Sequence, residues 1–175
     1  MKLEDGRTVR LVPLSSKTST KELLRYINTL IKEGAYLKSD KTFTLKQEEE
    51  WKKSTLKGMK TGDKFHLCAV YDGKVVGGSG AGRGIGKERD NIGLGIAIAK
   101  DFRGVGLGEI MLKEVIKIVK RKMKPKNIFL HVAGPNKPAQ SLYKKLGFKK
   151  IATFPKWFKH KGKYVAIHWM VLKNA

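Results

Sequence analysis

Gly93-Leu94-Gly95-Ile96-Ala97-Ile98-Ala99-Lys100-Asp101-Phe102-Arg103-Gly104-Val105-Gly106-Leu107-Gly108 reads as a short apolar strand, a polar break and a glycine-rich loop that runs straight into a helix. Glycines at 104, 106 and 108 let the backbone approach an anion with no Cβ in the way. The N–H groups that open the next helix are donors without an intrahelical acceptor, and they point at whatever lies ahead of them. The pattern is that of a phosphate cradle, and the guest it suggests is a pyrophosphate.

The helix after the loop is well marked. Leu112, Val115, Ile116, Val119 and Met123 fall at helical spacing, with Lys113, Glu114, Lys117 and Lys120 on the other faces. Glu109 lies in its first turn, basic residues crowd its last, and Pro125 stops it, so both ends suit the helix dipole. Nucleotide-binding signatures do not fit. No window reads Gly-x-Gly-x-x-Gly, and Gly86-Lys87 is followed by Glu88 where a P-loop needs Ser or Thr.

Downstream runs Leu130-His131-Val132-Ala133-Gly134-Pro135-Asn136-Lys137-Pro138-Ala139-Gln140-Ser141-Leu142-Tyr143-Lys144-Lys145-Leu146-Gly147-Phe148. Arg-x-x-Gly-x-Gly opening a helix, then a strand, then Asn-x-x-Ala-x-x-Leu-Tyr-x-Lys-x-Gly-Phe, resembles the two central motifs of the GNAT superfamily, the GCN5-related N-acetyltransferases. The resemblance spans nearly the whole chain and is strongest over residues 92 to 148. It implies an α/β (α+β) fold: a mixed, largely antiparallel sheet flanked by helices, with a central parallel strand pair that splays apart to admit acetyl-CoA.

By that resemblance each chemical role has a candidate. The pyrophosphate takes backbone N–H groups from Arg103, Gly104, Val105, Gly106, Leu107 and Gly108, with Arg103 adding charge. A backbone N–H near Ile98 meets the thioester carbonyl. Asn136 contacts the pantetheine or simply caps its helix, and Tyr143 protonates the departing thiolate. Two acids common in relatives are absent: Gly93 stands where a glutamate is usual, and Ala166 where an aspartate often lies. The base is left among Glu48, Glu49, Asp90, His131, a water chain, or an acceptor that arrives neutral.

Composition bounds the rest. At 175 residues the chain has the size of one domain with a real core. The only cysteine, Cys68, sits in an apolar stretch, which excludes a disulfide framework and cysteine-ligated zinc; no metal is expected. No apolar run reaches the ~18 residues of a membrane span and no signal-peptide core follows Met1, so a soluble cytoplasmic protein, monomer or homodimer, is expected.

The formal charge of +23 is extreme for a small enzyme. The lysines are spread along the chain, and the basic segments lack interleaved aromatics. A solvated lysine-rich surface is therefore the preferred reading over a nucleic-acid or acidic partner, and a basic nucleic-acid- or ribosome-associated protein with a weak or inactive acetyltransferase scaffold stays open as the alternative. The same charge repels cationic polyamines at long range and modestly favours a protein acceptor, an N-terminus or lysine, over a small amine such as a polyamine, antibiotic or amino-acid derivative.

Elsewhere the patterns predict a strand over 7 to 14 and helices over 20 to 33 and from Thr44 to about Met59. They also predict a hairpin of Phe65 to Tyr71 and Lys74 to Gly78 closed at Asp72-Gly73. The glycine run from Gly77 to Gly86 reads as an irregular connection. Strands over 92 to 99, 128 to 132 and 165 to 172 and a helix over 137 to 145 complete the expectation.

Overall fold

The computed structural model describes residues 1–172, which form one seven-stranded sheet with helices on both faces. In chain order the elements are β1 (Arg10–Pro13), α1 (Thr20–Lys32), α2 (Leu45–Thr61), β2 (Lys64–Tyr71), β3 (Lys74–Arg83), β4 (Asn91–Ile98), α3 (Leu107–Met123), β5 (Asn127–Ala133), α4 (Lys137–Lys145), β6 (Phe148–His160) and β7 (Lys163–Leu172). The strand order is β1-β2-β3-β4-β5-β7-β6. Every pair is antiparallel except β4 with β5.

Period-two alternation sorts the side chains. Ile92 and Leu94 of β4 and Ile128, Leu130 and Val132 of β5 point to one face, where Leu112, Val115, Val119 and Met123 of α3 and Tyr143 of α4 complete the main core. On the other face Leu23, Tyr26 and Leu30 of α1 cover Cys68 and Val75. Thr44 starts α2 where its sequence predicts, and caps it in a full capping box with Gln47.

One expectation is corrected and one element is new. The glycine run is mostly regular strand: β3 continues through Gly77, Gly78, Gly80 and Gly82 to Arg83, in unbroken register with β4. Glycine's poor strand propensity hides this, because pairing on both sides, and not side-chain packing, holds the segment extended. Second, Phe148–His160 forms a 13-residue edge strand that no expectation covers. Lysines and Pro155 mask its alternation, and its register shifts twice against β7.

Candidate active site

β4 and β5 pair only over Asn91 to Gly93 and Asn127 to Phe129, and beyond that they diverge. On its other side β4 stays paired to β3, with Gly77 opposite Ile98 and the Ala99 N–H bonded to the Val76 carbonyl. Antiparallel bonding alternates, so a residue whose neighbour bonds to β3 aims its own N–H and C=O the other way. For Ile98 that way is the gap. Its carbonyl accepts from Arg103 Nε at 2.8 Å, and its N–H faces the opening where β5 has left.

The loop that follows needs its glycines at two places. Gly104 (φ +72°) and Gly106 (φ +83°) are left-handed, a conformation that costs a side-chain-bearing residue roughly 1 to 2 kcal/mol. Gly106 is the N-cap of α3 and supplies no side-chain cap, so the first N–H groups of the helix keep their donors open. Gly108 lies against Leu142, whose Cδ2 would be 3.1 Å from an added Cβ. Leu107 is fully buried in the core, and the Val105 carbonyl accepts from Glu4 N–H at 3.3 Å.

Two acids at this loop were missed by sequence reasoning. Glu4, from an N-terminal turn bridged Lys2 to Thr8, places Oε1 2.9 Å from where a Cβ of Gly106 would stand. Glu33, the C-cap of α1, pairs with the Arg103 guanidinium. The side-chain charge of Arg103 is thus engaged with Glu33 and Ile98. Neither acid has a local motif, since each reaches the loop only through tertiary folding.

Residues Ile98, Arg103, Gly104, Gly106, Gly108, Asn136 and Tyr143 line one cavity of about 690 Å³, so most of the sequence-predicted set converges. Asn136 caps α4, accepting from the Ala139 N–H at 3.4 Å. Tyr143 is 6% exposed, with its ring 6.0 Å from that of Phe148, and burial pushes its phenol up to about 12. Among the described residues nothing hydrogen-bonds its hydroxyl. Open backbone donors, left-handed glycines and a protonated phenol on one cavity fit a thioester cosubstrate that carries a diphosphate.

Across the sheet, the face that α1 and α2 only partly cover has a floor of four glycines. Gly80 pairs with Gly95 and Gly82 with Gly93. A Cβ at Gly82 or Gly95 would meet nothing within 4 Å, and Gly95 is exposed in the middle of a seven-stranded sheet. Trp51 and His66 stand on one side of this floor, their rings 5.1 Å apart and edge-on. Phe129, His131 and Trp169 stand on the other, with His131 4.3 Å from the Trp169 ring. At Gly93, where relatives carry an acid, an added Cβ would be 3.2 Å from Phe129 Cζ, so an aromatic ring occupies that space.

Among the candidate bases, Asp90 precedes the paired start of β4, at the opposite end of the strand from Ile98, and Glu49 is exposed on α2. Glu48 is buried with its carboxyl raised by desolvation, and neither it nor His131 lines this cavity or the space above the glycine floor beside Trp51. His131 lies two residues past the last β4–β5 pair, on the glycine-floor face. Its Nε2 is the one buried side-chain polar atom among the described residues with no partner. Burial, and after it the charge of Lys38, holds its imidazole below the ordinary value. Among the described residues no cluster of three or more metal-binding side chains occurs, and no helix is long and apolar enough to cross a membrane.

Residues 26–148 match the model of the acetyltransferase (GNAT) family, and the chain belongs to that family, whose acetyl donor is acetyl-CoA. An N-alpha-acetyltransferase of Sulfurisphaera tokodaii is 36% identical over 52 residues, a match that spans 30% of this chain and 31% of that relative. Ribosomal-protein-alanine N-acetyltransferase from Brucella melitensis has a similar fold, with a TM-score of 0.79 at 20% identity, covering 94% of this chain and 98% of that one. So does a spermidine N-acetyltransferase chimera from Vibrio cholerae and hSSAT, at 0.72 and 21%, covering 94% of each. The acceptors named for these proteins differ, and the shared fold leaves the acceptor of this chain open.

Proposed function

We propose that this protein acetylates an amine on a protein, an N-terminus or a lysine, and that the glycine floor is where the acceptor segment lies. The observation that carries this reading is the uncovered patch of Gly80, Gly82, Gly93 and Gly95 between aromatic walls. An extended polypeptide can lie flat on such a floor, because no side chain stands up from it. A polycationic small amine calls for carboxylates. The residues around the floor beside Trp51 include Lys64 and no acid; at the cofactor cavity Glu33 and Glu109 are already paired with cations, and Glu4, which is in no ion pair among the described residues, stands at Gly106 of the loop.

In this reading acetyl-CoA supplies an activated acetyl thioester, held at the Arg103 to Gly108 loop. The Ile98 N–H polarises the thioester carbonyl by donating to its oxygen. His131, on the wall beside the glycine floor, takes the proton of the attacking amine through water. Tyr143 returns a proton to the leaving sulfur. Asn136 fixes the start of α4 and so the position of Tyr143.

The test is a competition. The protein is incubated with radiolabelled acetyl-CoA, a cell extract and a mixture of small amines including spermidine, and the label is traced at low and moderate salt. Label on one or a few proteins, reduced as salt screens the surface charge over about 10 Å, is the expected result. Label confined to a small amine would overturn the reading.

A further inference from the structure

The excess charge is not evenly placed. From Val115 to the C-terminus the chain carries 16 lysines and arginines and no aspartate or glutamate, so this last third holds +16 of the total +23. Much of it folds into the β6–β7 arm, which turns through Lys161 and Gly162, both at positive φ, in a two-residue hairpin loop at the edge of the sheet. Among the described residues none of Lys149, Lys150, Lys156, Lys159, Lys161 and Lys163 is in an ion pair.

Lysines on an edge strand have an ordinary use, since they discourage pairing with another chain. That use does not explain the aromatics beside them. Trp157 is 67% exposed and Tyr164 63%, and Tyr164 is the cross-strand partner of Lys159. The basic segment therefore does have interleaved aromatics once the hairpin is folded, contrary to its reading as a linear sequence. Strand pairing brings Tyr164 next to Lys159, two residues from Trp157. The positive surface continues onto α4. Burial first, then Lys150, Lys137 and Lys144, holds the His168 imidazole below its ordinary value, so these three lysines surround that part of β7.

Cations that track a phosphate backbone, interleaved with exposed rings on which unpaired bases can stack, are the two components of sequence-tolerant single-strand binding. We propose that the outer β6–β7 arm, through Trp157, Tyr164 and the lysines between them, docks single-stranded nucleic acid. The absence of aspartate and glutamate side chains in the last third removes the repulsion with which they would oppose it. This inference is independent of the acetyl acceptor.

The experiment measures anisotropy of a fluorescein-labelled single strand of about 20 nucleotides, as RNA and as DNA, and of the annealed duplex, against the full chain at about 50 and 200 mM salt. Expected are binding at the lower salt that weakens steeply at the higher, preference for single strand over duplex, and quenching of tryptophan fluorescence. A W157A/Y164A variant should lose on the order of 10-fold or more in single-strand affinity. K156Q/K159Q/K163Q should flatten the salt dependence by about two log units per log unit of salt. Circular dichroism and acetyl-CoA calorimetry on the same variants report folding and the cofactor site separately, and both should be unchanged. No binding at the lower salt, equal affinity for duplex and single strand, or an unaffected W157A/Y164A would overturn the proposal. Stronger binding to RNA or to DNA would name the source.

Discussion

Arg103 donates from Nε to the carbonyl oxygen of Ile98 at 2.8 Å, tying the end of the central strand to the start of the phosphate loop. Its second nitrogen reaches Glu33 at the end of α1, so one planar guanidinium ties three elements together around the proposed acetyl position. A lysine keeps the charge but not the fork. Arg103→Lys should raise KM for acetyl-CoA on the order of 10-fold and lower kcat, from loss of a charge-assisted hydrogen bond of about 1.5 to 3 kcal/mol. Glu33→Gln should do less, because that pair is partly exposed. Initial rates over a range of acetyl-CoA check this, and an unchanged KM in Arg103→Lys would detach the residue from cofactor positioning.

Glu4 and Gly106 give a pair of opposite predictions. The Glu4 carboxylate stands over the loop where a diphosphate would bind, and like charges repel. Glu4→Gln should bind acetyl-CoA a few-fold more tightly, with the difference shrinking as salt rises. Gly106→Val should bind more weakly and melt lower, because it strains a φ of +83° and pushes a Cβ to 2.9 Å from Glu4 Oε1. Calorimetric titration decides both. Equal affinities across wild type and both variants would move the diphosphate away from this loop.

The proposed cofactor half of the site is legible in the sequence because its geometry is local. Gly104, Gly106 and the helix start lie within a few residues of one another, and Tyr143 and Asn136 share one short helix, so spacing alone carries the geometry. The proposed acceptor half is not. Its floor is a set of glycines whose order comes from pairing Gly80 with Gly95 and Gly82 with Gly93, and its walls come from four different elements. His131 illustrates the limit: a histidine between apolar strand residues reads as ordinary sheet, and only the divergence of β4 from β5 leaves its Nε2 without a partner. The edge strand β6 escaped for a related reason, because an exposed strand rich in lysine carries no hydrophobic alternation.

Tyr143→Phe removes one oxygen from a buried ring. With its phenol raised to about 12, Tyr143 is fully protonated in the working range and can act as an acid without a nearby base. The variant should lose about 10² or more in kcat with little change in acetyl-CoA affinity. Stability should hold or rise slightly, since the hydroxyl has no protein partner to lose. Wild-type turnover, measured where chemistry limits the rate, would assign Tyr143 to packing.

His131→Asn tests the base. Because the imidazole titrates below the ordinary histidine value, wild type should keep its full rate at pH 7 and lose it as acid protonates Nε2, with the acidic limb of kcat lying under pH 6.5. The variant should lose about 10² to 10⁴ in rate, and that limb should vanish from its profile. A variant with the wild-type profile would leave deprotonation to water or to the acceptor itself.

His66 predicts how the fold itself responds to acid. Burial beside Gly80 and Trp51 lowers its imidazole from 6.5 to about 4. Between those values the unfolded chain binds a proton that the folded chain refuses, so stability is complete above pH 6.5 and falls as pH drops towards 4. The full effect is at most about 3 kcal/mol, less to the extent that water reaches the partly buried ring. His131 and His168, also lowered, act in the same direction, whereas Glu48, whose carboxyl is raised, opposes them by binding its proton more readily in the folded state. Urea midpoints at pH 7, 6 and 5 should therefore decline in wild type and decline less in His66→Gln. Parallel slopes for the two proteins would show that the His66 ring gains its proton as easily folded as unfolded.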